Sequence, residues 1–244
     1  MDATGRAQAE EQAGPLTVQD VRRYFPTEFG LTRTMVAVPG HNVLYVKNPK
    51  AGCSTIALWL DRIHTNEHTF RPRNIHVEHR LPGVRELGVE RVVQMLAGDA
   101  FRFTFVRNPL TRVESAWRDK VVRGKKVRPK LQRTLGLPLD PESPLTFDQF
   151  LAAIELQDPV GQNRHWRPQH LNLMHPLVEF DHIGKLEDFD AELAVVRERA
   201  GLPDVPWEAS NVMPRGGESV YDGRPDLVRR VEATYATDFE LYGY

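Results

Sequence analysis

Two segments of this chain run through the same order of β-prone stretch, proline-bearing turn and amphipathic helix, and that order leaves few folds open. Val43 to Val46 (VLYV) is an apolar run that ends at Lys47-Asn48-Pro49, where proline disfavours further strand pairing. Beyond it Ile56, Trp59, Leu60 and Ile63 fall at i, i+3, i+4 and i+7, one face of a helix. Phe101 to Val106 (FRFTFV) repeats the pattern: Arg107-Asn108-Pro109 breaks it, and Val113, Ala116, Trp117 and Val121 mark the next helix face. The likeness is one of element order, since the chain has no internal sequence repeat.

Further along, Thr146 with Gln149 three residues later resembles a capping box, opening a helix whose inner face is Phe147, Phe150, Leu151 and Ile154. Leu177 to Ile183 is a further strand candidate, followed by a helix around Ala191 to Ala200 that stops at Gly201. Val228, Val231, Tyr235 and Phe239 predict one C-terminal helix. Strands alternating with helices give a mostly parallel sheet covered on both faces, an α/β fold. Ligands of such sheets bind outside the carboxyl ends of the strands, where both turns would lie.

Composition narrows the setting. A formal net charge of −1 over 244 residues gives no bulk attraction to nucleic acid or to membranes. One cysteine, Cys53, rules out an intramolecular disulfide and fits a reducing compartment. No apolar run approaches the roughly 18 residues of a membrane span. Residues 1–14 are small, polar and charged, and read as a disordered tail before a single domain at 15–244. The expectation is a soluble, cytoplasmic protein.

The first turn, Pro49-Lys50-Ala51-Gly52-Cys53-Ser54-Thr55, suits an anion. Its small residues let a ligand approach the backbone, and Gly52 reaches conformations closed to other residues. The helix that follows offers unpaired N–H groups at its positive end. Ser54 and Thr55 add hydroxyls and Lys50 a mobile charge. The nucleoside-triphosphate loop differs, because it places lysine after its last glycine, whereas Lys50 precedes Gly52. The same residues also suit a plain capping turn with a solvated lysine. In the second turn, Arg107-Asn108-Pro109-Leu110-Thr111-Arg112-Val113-Glu114-Ser115, Arg107 and Ser115 can reach one phosphate, Arg107 with its two-pronged guanidinium. Alternatively Arg107 and Arg112 are ordinary surface charges.

Together the turns carry a resemblance. PKAGCST resembles the 5′-phosphosulfate loop of sulfotransferases that use 3′-phosphoadenosine-5′-phosphosulfate (PAPS), and RNPLTRVES with AWRDK resembles their 3′-phosphate motif. The closest likeness is to the carbohydrate sulfotransferases of sulfotransferase family 2 that include the chondroitin 4-O and HNK-1 enzymes. His165 to Gln169 (HWRPQ), Phe180 to Glu187 (FDHIGKLE) and Tyr235 to Tyr244 agree with it. The likeness implies a P-loop-NTPase-like three-layer α/β/α fold, PAPS as co-substrate, adenosine 3′,5′-bisphosphate (PAP) as product and no metal. It places Pro49, Lys50, Ala51, Gly52, Cys53, Ser54 and Thr55 on the 5′-phosphosulfate, with Arg107 and Ser115 on the 3′-phosphate. Animal members usually carry a membrane anchor, and cysteines near the segment matching Leu171 to Pro176. This chain shows neither, as expected of a soluble bacterial relative.

Transfer to a hydroxyl asks for a base, and histidine suits neutral pH. His76, in Asn74 to His79 (NIHVEH), lies between the two motifs where relatives carry a histidine near the acceptor. It ranks first, with His79 and Glu78 next, and Lys50 faces the leaving group. His165 reads as an orienting or packing residue. Cys53 could look like a nucleophile, since a helix start lowers thiol pKa, but direct in-line transfer needs none. Arg118 to Arg133 holds eight basic residues and one acid, Asp119. That segment reads either as a lip for PAPS or an acidic acceptor, or as a solvated loop. The expected partner is a carbohydrate or similar hydroxyl-bearing acceptor. Other readings are a nucleoside-triphosphate-dependent kinase, which would need magnesium, and a PAPS-binding protein without turnover.

Overall fold

A computed structural model describes residues 15–208 and 218–244, so the expected disordered tail at 1–14 lies outside the described residues. Four strands form one sheet in the order β1 (Met35–Val38), β2 (Val43–Val46), β3 (Phe101–Val106) and β4 (His182–Lys185). β1 and β2 are antiparallel, while β2, β3 and β4 run parallel. The mostly parallel α/β sheet expected from the element order is therefore present. β3 has the predicted bounds. β1 is an added edge strand, joined to β2 through a tight turn in which Asn42 takes a left-handed conformation (φ 51°).

Every residue of β1 and β2 is buried, as continuous apolar strands covered on two faces should be. Alternate side chains enter different cores. Val43, Tyr45, Phe103 and Phe105 pack with Ile56, Trp59, Leu60 and Ile63 of α2 (Cys53–Thr65) and with Leu193 and Val196 of a helix at Phe189–Arg199. Leu44, Val46 and Val106 face the opposite layer, where Val21 of α1 (Val18–Tyr24) joins Val92, Leu96 and Leu173. This is a three-layer arrangement.

A third core lies beyond the carboxyl edge of the sheet. It joins α4 (Pro109–Trp117) to a helix at Phe147–Glu155 and to Pro225–Thr234 through Val113, Phe150, Trp166 and Val231. Between α2 and α4 the chain makes the short helix α3 (Ile75–Glu78). The capping box foreseen at Thr146 forms, with Gln149 N–H on the threonine hydroxyl and the Gln149 side chain on Thr146 N–H.

Three expectations shift. The strand read at Leu177 to Ile183 begins at His182: the Asp181 carboxylate accepts from Arg102 N–H (2.8 Å) and from its guanidinium, while Val178 turns into the core. The single C-terminal helix is two, Pro225–Thr234 and Ala236–Tyr242, separated by Tyr235. Tyr235 leaves helical geometry as its hydroxyl donates to the buried Trp166 carbonyl. The Arg118 to Arg133 segment, read as a lip or a solvated loop, runs into a helix, Arg128–Thr134, anchored by the buried Arg128 guanidinium on the carbonyls of Val121, Val122, Pro141 and Glu142.

Candidate functional site

Both turns sit at the carboxyl edge of the parallel strands and touch one another. In the first, the chain folds back sharply, with Lys50 at φ 73° and Gly52 at φ 75°. A left-handed lysine is costly for an L-residue and marks a backbone held by its surroundings. Gly52 is required twice. Its φ favours glycine, and a Cβ there would stand 3.0 Å from Leu186 Cδ1 and Phe189 Cε2. Gly52 then caps α2 with no side-chain hydrogen bond, so the helix start is left to backbone groups and to Cys53, Ser54 and Thr55. Ala51 and Thr55 are buried, and Pro49, Cys53 and Ser54 are partly exposed.

In the second turn Asn108 caps α4 by accepting from Leu110 N–H at 2.9 Å, and Pro109 occupies the first helical position. Arg107 lies along the first turn of that helix. Its Nε donates to Thr111 Oγ1 (2.9 Å) and its Nη1 to the Lys50 carbonyl (3.3 Å), joining the two turns. Ser115, buried, stands one helical turn beyond Thr111 on the same face. The residues expected to hold the two ends of one ligand therefore meet at one edge.

Arg112 turns out to be neither a ligand residue nor a surface charge. It is fully buried, and donates to the carbonyls of Pro49 (3.1 Å), Arg167 (3.0 Å) and Arg164 (3.0 Å). It thus clamps the first turn to the 164–167 segment from below. Gln169 does the same for the strand ends. Its Oε1 accepts from Arg107 N–H (3.0 Å) and from Asn48 Nδ2 (2.8 Å), while its Nε2 donates to the Arg107 carbonyl (2.8 Å). Asp238, buried, holds the N–H groups of Gln169 and His170.

Lys50 reaches Asp119, the single acid of the basic segment, at 2.8 Å, and Lys120 lies 3.2 Å from the same carboxylate oxygen. The Lys50 side chain is 13% exposed. Burial lowers its pKa from the ordinary value, opposed by the hydrogen bond and charge of Asp119. Burial works against the Asp119 carboxylate too, yet the two ammonium groups hold its pKa below the ordinary value.

His76 Nε2 stands 2.9 Å from Ser54 Oγ and 3.8 Å from Cys53 Sγ, against the first turn. His79 Nε2 is 3.1 Å from the buried Lys47 ammonium. Burial, followed by the Lys47 charge, lowers both histidines to about 4, so both are neutral at pH 7. Lys47 itself is lowered by burial to about 8. Glu78 faces away, accepting from Asn74 N–H at 2.7 Å and closing its own short helix. His165 belongs to the site's surroundings: burial, then the charges of Lys120 and Lys50, lower it to about 3, and Asn163 fixes its Nδ1 at 2.7 Å. For Cys53, burial outweighs the charges of Lys47, Lys50 and Arg164 and raises the thiol pKa.

The basic segment is not one open lip. Arg118 pairs with Glu114, Lys120 with Asp119 and Lys125 with Glu142, and Arg128 is buried. Among the described residues no group of three or more His, Cys, Asp and Glu side chains could hold a metal ion. Nor, among them, is any helix long and apolar enough to cross a membrane. Sequence reasoning missed the partners inside this edge: Lys47, Asn48, Asp119, Gln169 and Asp238. Only Asp119 carried a signal, as the one carboxylate in a run of eight cations.

Comparison with known proteins matches the same edge to a family. The profile of the "Sulfotransferase family" matches residues 33–244, which include both turns, the histidines and all four strands. Carbohydrate sulfotransferase 14 of Danio rerio is 27% identical over 225 residues, 84% of this chain and 60% of that protein. The Homo sapiens protein of the same name is 26% identical over 238 residues, 88% of this chain and 61% of its own length. Human carbohydrate sulfotransferase 9 is 26% identical over 178 residues, 67% of this chain and 40% of its own. This chain thus spans about three fifths or less of these curated relatives. No solved structure gives a significant match. With the profile covering nearly the whole described chain, the protein belongs to the sulfotransferase family.

Proposed function

We propose that the chain transfers a sulfuryl group from PAPS to a hydroxyl of a carbohydrate acceptor by direct in-line displacement. The observation that carries this reading is the junction of the two turns, where Arg107 donates to the Lys50 carbonyl and the Lys50 ammonium is held, nearly buried, beside the uncapped start of α2. The residues fit an extended ligand with an anionic group at each end. Gly52 leaves no room for a side chain under the loop, and the backbone N–H groups opening α2 are oriented for an anion. PAPS, when bound, supplies an activated sulfuryl group on a phosphate leaving group.

In this reading Pro49 to Thr55 hold the 5′ end, Lys50 offsets charge growing on the leaving oxygen, and Arg107 with Ser115 hold the 3′-phosphate. His76, neutral and against Ser54, accepts the acceptor's proton at Nε2, and the donor's anionic charge would raise its basicity. His79, held at Lys47, orients this corner. The names of the relatives support a carbohydrate as acceptor. The lone cysteine supports action in the cytoplasm, which cell fractionation would check.

The test is incubation with PAPS and a panel of uronate-bearing and neutral oligosaccharides, scored by mass for one added sulfuryl group. Lys50→Ala should lower turnover about 10²–10³-fold, the cost of removing one transition-state charge partner. Near-unchanged turnover would contradict the leaving-group role. No product from any acceptor, with PAP still bound, would favour a binding protein without turnover.

A further inference from the structure

Lys50 does not rest in the cradle alone, and its partner Asp119 is a poor neighbour for an anionic donor. Its carboxylate lies 2.8 Å from the Lys50 ammonium, beside the first turn that would receive a phosphosulfate. Left unpaired, a carboxylate at that place would repel the donor, so its presence needs a reason.

The surroundings supply one. Other charged or titratable groups facing the Lys50 ammonium are Lys120, next to Asp119 in the chain, Cys53 from α2 and His165 from the 163–168 segment, while Arg107 reaches the Lys50 carbonyl. Of these Lys120 is a cation and His165 is neutral. Without Asp119 a nearly buried ammonium would stand beside that like charge. Asp119 also has a second cation in reserve. Lys120 Nζ is 3.2 Å from the same Oδ2 that Lys50 uses, so the carboxylate stays paired if Lys50 swings away. The flexible stem of lysine permits that swing, with the Lys50 backbone fixed by its left-handed turn.

We propose that Asp119 is a resident counter-anion for Lys50: it holds the ammonium parked before the donor binds and passes to Lys120 when the donor takes its place. Asp119 is a positioning residue that acts through Lys50, and the inference rests on the donor-site reading above. Donor binding carries the cost of breaking one half-buried ion pair, so removing the carboxylate strengthens binding only while Lys50 is there to be released.

A double-mutant cycle reads this directly. PAP is titrated by calorimetry into the full chain, Asp119→Asn, Lys50→Ala and the double variant, with thermal melting to establish that each is folded. Asp119→Asn should tighten PAP about three- to tenfold, as expected for a partly exposed pair. In the Lys50→Ala background the same change should do nearly nothing, and Asp119→Glu should restore the original affinity. Asp119→Ser serves as a second removal if the asparagine variant does not fold. Equal tightening in both backgrounds would reduce Asp119 to general repulsion and overturn the proposal, as would no tightening in either. If the unsubstituted chain fails to bind PAP, the donor-site reading fails and the counter-anion role with it.

Discussion

The two turns at the carboxyl edge share an element order but are built by different means. The Pro49 to Thr55 turn is built from backbone: left-handed Lys50 and Gly52 fold the chain tightly, and α2 opens with no side-chain cap on Gly52. The Arg107 to Ser115 turn is built from side chains. Asn108 caps it, Arg107 lies along it, and Arg112 passes beneath it to clamp the first turn through the Pro49 carbonyl. Under the proposed reading the first turn binds through its backbone, while the second gives Arg107 to the ligand and Arg112 to the fold. Two arginines five residues apart, alike in sequence, thus have opposite duties.

Substitutions should separate those duties. The largest effect is expected at Arg112, where Arg112→Leu leaves the carbonyls of Pro49, Arg164 and Arg167 without that donor. About 3–5 kcal/mol of stability should be lost, read by urea denaturation. A loss under about 1 kcal/mol would show that the clamp is dispensable. Arg107→Met should leave stability within about 1 kcal/mol but weaken PAP at least about tenfold, with adenosine 5′-phosphosulfate little affected. Equal weakening of both ligands would remove the 3′-phosphate from Arg107. Gly52→Ala tests the backbone-built turn. Strain at φ 75° and the contacts with Leu186 and Phe189 should cost about 1–3 kcal/mol and loosen PAP binding together.

A last effect concerns pH. His76, His79 and His165 are lowered to about 4, 4 and 3 in the folded chain, mainly by burial, from the ordinary histidine value of about 6.5. The folded state therefore disfavours their protonation. Their contribution is complete above about pH 6.5 and is lost as pH falls through 4 toward 3. Urea midpoints should decline over that window, and less steeply in His165→Asn. A flat profile would mean that these rings are not held neutral.

The parts of this account legible in the sequence are those written locally. A strand followed by Pro and Gly, a capping pair such as Thr146 and Gln149, and a helical face such as Ile56 to Ile63 each depend on neighbours in the chain. The illegible parts depend on partners far away. Asn48 meets Gln169, Lys50 meets Asp119 and Gln169 meets Asp238 across 121, 69 and 69 residues. No spacing rule links such residues. β1 escaped notice because MVAV leads through a tight turn into another strand and not into a helix, so the strand-turn-helix order did not mark it, and β4 was misplaced because Leu177 and Val178 are apolar for a core beside the sheet rather than in it. Arg112 looked like any surface cation, since burial of a guanidinium on carbonyls leaves no mark in composition.

The central claim is that the two turns form one site for a 3′-phosphorylated nucleotide. Calorimetric titration of the purified chain with PAP, without magnesium and alongside ATP, tests it most directly. The account predicts binding of PAP that adenosine 5′-phosphosulfate does not match, and little response to ATP. Binding of magnesium-ATP with no response to PAP would contradict it and turn the search to phosphoryl transfer.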